Sequence, residues 1–231
     1  MRLPISNRTL VLVSLAAVGL VVAVVLFVLL APGRPAAKYA LTDRNVRADD
    51  TETWTFDTDP VGGLPSGMEA FSGSWRVRPE SDAPSSPNVL CQTESSRFPA
   101  LALSEKVYGD VVVSIRFKPI SGRVDQAAGI IFRVQDKDNY YILRANALED
   151  NVNLYIYASG KRSSLKGSSV KVASNEWQSL RVEAIGNHFR GFLNDKLVVE
   201  ARDDNYLAGR VGLWTKADSV TCFDNVQVVA K

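Results

Sequence analysis

The stretch Val111-Val112-Val113-Ser114-Ile115-Arg116-Phe117-Lys118 decides the fold. Val111, Val113, Ile115 and Phe117 alternate with Val112, Ser114, Arg116 and Lys118. Successive side chains of an extended strand point to opposite faces, so this period of two puts an apolar row on one side. A helix would need its apolar residues at a period near 3.6, which the segment lacks.

The same alternation recurs outward from this stretch. Ile130, Phe132 and Val134 alternate with Ile131, Arg133 and Gln135, and Leu180, Val182 and Ala184 with Arg181, Glu183 and Ile185. Phe189, Gly191 and Leu193 lead through Asn194-Asp195 to Leu197 and Val199, which predicts a hairpin on a two-residue turn. Roughly a dozen strands follow from this template, separated by polar turns and without a helical stretch. That pattern predicts an antiparallel two-sheet sandwich of the jelly-roll kind over residues 51–231. The Pro/Ser-rich segment Ser81–Pro87 reads as an exposed loop, and Trp54, Trp75 and Trp177 read as core.

Composition excludes several functions. The chain has 231 residues, with 27 Lys+Arg, 25 Asp+Glu and a single His, His188. Four of the bases (Arg2, Arg8, Arg34, Lys38) precede residue 41, leaving 23 bases against 25 acids in the rest. Such a body lacks the basic footprint of nucleic-acid binding, so no nucleic-acid partner is expected. One His excludes multi-histidine metal sites, and two Cys exclude a zinc ribbon.

Leu10–Ala31 is an uninterrupted run of 22 residues without an ionised side chain. About twenty apolar residues cross a bilayer as a helix, whereas a cleaved signal has a shorter apolar core. The expected organisation is a short cytoplasmic tail over 1–9, a signal anchor over 10–31 lodged in the lipid bilayer, and a flexible tether over 32–50. The domain then lies outside the cytoplasm, as a single-pass membrane protein facing the periplasm or the exterior. Ala31-Pro32-Gly33 is a poor cleavage site, and cleavage there is the alternative.

Six motifs then share one resemblance. They are Gly73-Ser74-Trp75-Arg76-Val77, Ala128-Gly129-Ile130-Ile131-Phe132-Arg133 and Asp138-Asn139-Tyr140-Tyr141-Ile142-Leu143-Arg144, then Trp177-Gln178-Ser179-Leu180-Arg181-Val182, Gly209-Arg210-Val211-Gly212-Leu213-Trp214 and Phe223-Asp224-Asn225-Val226. Together they resemble the 3-keto-disaccharide hydrolase-like domain of the concanavalin A-like lectin/glucanase superfamily. The resemblance implies a two-sheet jelly roll that handles carbohydrate, with binding modules and glycoside hydrolases both among its members. Retaining glucanases of that superfamily carry an E-x-D-x-x-E strand, and no such spacing occurs here. G-x-S-x-G, H-E-x-x-H and P-loop spacings are absent too.

The residues offer a polar sheet face instead. Tyr140, Ile142, Arg144 and Asn146 share one side of a strand, and Tyr141, Leu143 and Ala145 share the other. Asn153, Tyr155 and Tyr157 continue the face on the next strand, and Trp214 and Lys216 add to it, with Asp218 beyond. Arg133 lies across the turn from Arg144 and is expected to point off the same sheet. Aromatic faces stack on sugar C–H surfaces while amides and cations take hydroxyls, so the face suits a carbohydrate. Arg133, Arg144 and Lys216 together would hold an acidic group through forked hydrogen bonds.

Three function classes stay open: a carbohydrate-binding module, a glycoside or 3-keto-glycoside hydrolase using Glu149 and Asp218 with the arginine pair, and a structural envelope protein. No cofactor is expected. Asp136 and Asp138 are the candidates for calcium, but the segment lacks an EF-hand glycine and distal glutamate, and its Asp and Asn residues are those a hairpin turn selects, so a turn is the expected reading. Finally, the resemblance implies that the first and last strands are neighbours. Cys91 and Cys222 would then come within disulfide reach, the alternative being two separate buried thiols.

Overall fold

The computed structural model describes residues 37–39 and 51–231. The expected tail 1–9, the span Leu10–Ala31 and all of the tether 32–50 except 37–39 lie outside the described residues. Among the described residues no helix is long and apolar enough to cross a membrane.

Two antiparallel sheets make up the domain. The first runs in the order β13 (Lys196–Arg202), β12 (His188–Leu193), β11 (Gln178–Ile185), β6 (Val111–Ser121), β15 (Val220–Ala230), β4 (Asn88–Gln92) and β3 (Trp75–Pro79), with β1 (Thr51–Trp54) also paired to β15. The second runs β10 (Lys161–Ser169), β9 (Asn151–Ala158), β8 (Asn139–Asn146), β7 (Ala127–Asp136), β14 (Arg210–Trp214), β5 (Ala100–Ala102) and β2 (Glu69–Ser72). The fifteen strands exceed the dozen expected, because short or polar ones such as β2, β5 and β10 carry little alternation of their own.

Alternation accounts for the layers. Val113, Ile115 and Phe117 of β6 meet Phe132, Leu143, Leu154 and Leu213 of the second sheet in one buried core. The opposite side of that second sheet carries its own cluster, including Ile131, Tyr140, Ile142, Tyr157 and Trp214. Trp75 is a core residue as expected, and Trp54 packs against the same core from a less buried position.

Asn194 and Asp195 both adopt positive φ, and the expected hairpin forms between β12 and β13. Its alternation does not hold throughout. A bulge pairs Gly191 with Val199 but Phe192 with Leu197, and Leu197 is left exposed. An extra residue on one strand turns the following side chains over, which period-two reading cannot foresee.

Within the first sheet, β15 pairs with β4 so that Cys222 stands opposite Cys91, and the two sulfurs are bonded. Val89 and the flanking Ala83, Ile120 and Trp177 surround this disulfide. The segment Ser81–Pro87 is tied down over that region at two points. Asp82 accepts from Lys118 Nζ at 2.9 Å and Trp177 Nε1 at 3.2 Å, and Ser85 donates through its N–H and its hydroxyl to the buried Asp224 at 2.7 and 2.8 Å. Burial raises the Asp224 carboxyl above its ordinary value, against the lowering by the Ser85 donors.

Candidate functional site on the outer face of the second sheet

One row of paired residues crosses the second sheet on its outer side. Gly167 pairs with Asn153, Asn153 with Arg144, Arg144 with Gly129, Gly129 with Trp214, and Trp214 with Ala100. Small residues therefore flank the pair Asn153–Arg144 and Trp214, so the large side chains have room to lie flat. A Cβ on Gly129 would stand 3.3 Å from the Trp214 ring, and one on Gly167 would meet Asn153 Oδ1 at 2.2 Å.

The aromatic part of the face is continuous. Phe98 stacks on Trp214 with centroids 5.6 Å apart and meets Tyr157 edge-on at the same distance. Tyr157 in turn lies 4.9 Å from Tyr140. Arg162 reaches across from β10, its guanidinium 4.4 Å from the Tyr155 ring, 5.1 Å from Phe98 and 5.8 Å from Trp214. Cations over aromatic faces are attracted by the ring quadrupole, which holds this long side chain flat. Burial lowers the Arg162 pKa and raises that of Tyr140, though neither group changes charge near neutrality.

A charged cluster closes one end. Arg144 Nη2 donates to Glu149 Oε2 at 2.7 Å and to Asn151 Oδ1 at 2.5 Å, and the guanidinium lies 5.5 Å from the Tyr155 ring. With the Asn153 amide turned as the network requires, its oxygen accepts from Arg144 Nη2 at 2.8 Å and from the Tyr155 hydroxyl at 3.0 Å. Asp125, fully buried, accepts from Asn146 Nδ2 at 2.6 Å and pairs with Lys216 Nζ at 2.8 Å. Glu149 Oε1 stands 3.9 Å from the same ammonium. Burial raises the Glu149 carboxyl, but the Asn151 amide and Arg144 outweigh it and hold the group below its ordinary value. Two guanidinium nitrogens here, Arg144 Nε and Arg162 Nη1, are buried without a hydrogen-bond partner.

Most of the residues read from the sequence thus come together: Tyr140, Arg144, Asn146, Asn153, Tyr155, Tyr157, Trp214, Lys216 and Glu149. Arg133 does not join them. Its φ is +51°, and β7 carries three residues, 133–135, opposite Tyr140 of β8. This irregularity turns the side chain toward the core, where Nη1 donates to the Tyr206 carbonyl at 3.0 Å and the guanidinium lies 5.2 Å from the Phe189 ring. The expected arginine pair is therefore Arg144 with Arg162 rather than Arg144 with Arg133. Asp218 is also placed elsewhere in effect, since its carboxylate accepts from the backbone N–H groups of Arg123, Val124 and Asp125 at 2.7–3.2 Å. Those bonds fasten a loop and lower the pKa of the group.

Asp136 accepts from the Asp138 N–H and the Asn139 amide at 2.8 Å each, while Asp138 pairs with Lys137. The segment is a turn closed on itself, and among the described residues no three His, Cys, Asp or Glu side chains gather as a metal site. Arg162, Phe98, Asp125 and Asn151 were missed by sequence reading. Arg162 sits in the polar strand Lys161–Ser169 and Phe98 in a loop, so neither shows an apolar period. The sequence holds no signal for Asp125, whose role depends on folding a loop beneath Lys216.

The two antiparallel sheets form a sandwich of the jelly-roll kind. Residues 68–229 match the family described as the 3-keto-alpha-glucoside-1,2-lyase-like domain, and the chain belongs to that family. A levanase of Bacillus subtilis (strain 168) is 32% identical over 104 residues, covering 43% of this chain and 15% of the levanase. Among solved structures, the carbohydrate binding module CBM66 from Bacillus subtilis has a TM-score of 0.61 at 22% identity, covering 71% of this chain and 96% of the module. A Bacillus licheniformis beta-glucanase has a TM-score of 0.52 at 14% identity, covering 81% of this chain and 100% of that one. At these identities the structural likeness establishes the fold.

Proposed function

We propose that the domain is a carbohydrate-binding module whose site is the outer face built on Arg144, Tyr155, Arg162, Phe98 and Trp214. The observation that carries this reading is the half-buried Arg162 guanidinium lying against the partly exposed rings of Tyr155 and Phe98, 4.4 and 5.1 Å away. Such rings offer an apolar face to a sugar while the guanidinium donates to its hydroxyls. The similarity to CBM66 supports the choice of ligand class.

Hydrolysis is the second reading, with Glu149 as its candidate carboxylate. Against burial, Asn151 and Arg144 lower its carboxyl, which suits a base or nucleophile better than a general acid. We also propose that Leu10–Ala31 anchors the domain to the outer side of a membrane, on length and apolarity alone.

Calorimetric titration of the protein with a glycan panel tests the binding reading, beside a turnover assay on the same glycans. Saturable binding that Tyr155→Ala abolishes without lowering the melting temperature, and without turnover, is the expected result. Turnover that Glu149→Gln abolishes would instead make the face an active site. For the anchor, the protein is expected in the membrane fraction with Leu10–Ala31 intact. A mature terminus near Arg34 would refute it.

A further inference from the structure

On the same outer face, about four residues along β8 from the charged cluster, lies a cavity of about 200 Å³. Phe71, Ser72, Ser96, Phe98, Tyr140 and Tyr157 line it, with Arg97, Lys137 and Asp138 also at its wall. Phe98 is the shared partition. One side of its ring neighbourhood is the cavity, with Tyr157 at 5.6 Å, and the other is the pair Trp214 and Arg162, at 5.6 and 5.1 Å.

The two places are well separated along one strand. Tyr140, at the cavity, and Arg144, in the charged cluster, are four residues apart on the same face of β8. At ~3.4 Å per residue that is about 13–14 Å, further than one sugar ring reaches. The cavity is also smaller than the ~300–1,000 Å³ typical of drug-sized ligands, a size that fits one ring with its substituents. Its chemistry repeats that of the first site in a milder form. Four aromatic rings line it, Ser72 and Ser96 present hydroxyls 2.7 Å apart, and Lys137 and Asp138 form an ion pair at the edge.

We infer that the face holds two subsites divided by Phe98, and that its ligand is an oligosaccharide long enough to occupy both rather than a single terminal sugar. The charged cluster takes one unit through Arg144, Arg162 and the polar groups beside them. The aromatic cavity takes a unit further along the same chain, with the intervening part passing over Phe98. This rests on the reading of the face as a carbohydrate site.

The decisive measurement is calorimetry on the full chain with two ladders of one to five units, fructo-oligosaccharides and β-gluco-oligosaccharides. On the ladder that binds, affinity is expected to rise by about tenfold or more between one unit and the length that first spans both subsites, then level off. Phe71→Ala and Lys137→Ala are expected to remove that rise and leave the affinity of the shortest ligand within about twofold. Phe71 lies at the edge strand β2, and Lys137 is an exposed turn residue that serves if Phe71→Ala fails to fold. Affinity independent of chain length in the unmodified protein would overturn the two-subsite inference while keeping the face as a sugar site. No binding on either ladder would overturn both.

Discussion

Replacing Cys91 and Cys222 together by alanine tests how the last strand is held. The bond closes a separation of 131 residues, for which the chain-entropy relation gives about 5 kcal/mol at 25 °C. Measured disulfides fall below that relation, typically at about 2–4 kcal/mol, and the missing sulfurs also thin the cluster with Val89, Ala83 and Trp177. A loss of about 3–4 kcal/mol is expected. At ~2–4 °C per kcal/mol for a domain of this size, the melting temperature should fall by about 6–16 °C. Urea unfolding should also steepen, because an unfolded chain without the cross-link exposes more surface. Reductant provides the internal control: it should lower the midpoint of the unmodified protein toward that of the variant and leave the variant unmoved. A double variant within about 1 kcal/mol of the unmodified protein would refute the reasoning. So would two titratable thiols in the denatured, unreduced chain.

Arg144→Ala should weaken binding of the best glycan by at least about tenfold, since it removes a charged donor set from the site. Arg133→Ala should leave affinity unchanged and cost about 2–4 kcal/mol in stability, as it empties a buried position and strands the Tyr206 carbonyl; calorimetry and melts on both variants check the pair. Asp218 has a folded pKa below 3.8, so its stabilisation is complete above 3.8 and disappears as pH falls through the lower folded value. Asp218→Asn should accordingly lower the melting temperature at pH 7 and progressively less at pH values under 3.8, and a difference independent of pH would contradict this.

The layers of this fold were legible because burial imposes period two: Val113, Ile115 and Phe117 face the core for the same reason that they alternate with Ser114 and Arg116. Half of the site was legible by the same rule, since Tyr140, Arg144, Asn153, Tyr155 and Tyr157 lie on regular stretches of β8 and β9. Arg133 was misplaced because the irregularity in β7 falls at that residue, and nothing local in Phe132-Arg133-Val134 announces it. Arg162 was hidden for a different reason. Its strand, Lys161–Ser169, is polar on both sides, so no apolar row marks its direction, and its guanidinium enters the site by length rather than by register. Leu197 shows the same limit on the first sheet, where a bulge one turn away reverses its face.

The distribution of charge around Arg144 bears most on what the face does. Glu149 and Asn151 fix one end of its guanidinium, Asn153 bridges it to Tyr155, and Lys216 is fixed in turn by Asp125. Glu149 and Asp125 thus each have a cation and an amide against them, and for Glu149 these neighbours outweigh burial and lower the carboxyl below its ordinary value. The same contacts place Arg144 before any ligand arrives. A long side chain already held in one rotamer loses little further freedom on binding, so its hydrogen bonds to a sugar contribute more fully to affinity. Arg162 is held likewise by three rings rather than by a carboxylate, and keeps its charge without an ion-pair partner. The contacts of the cluster therefore orient its donors, which supports the proposed binding reading.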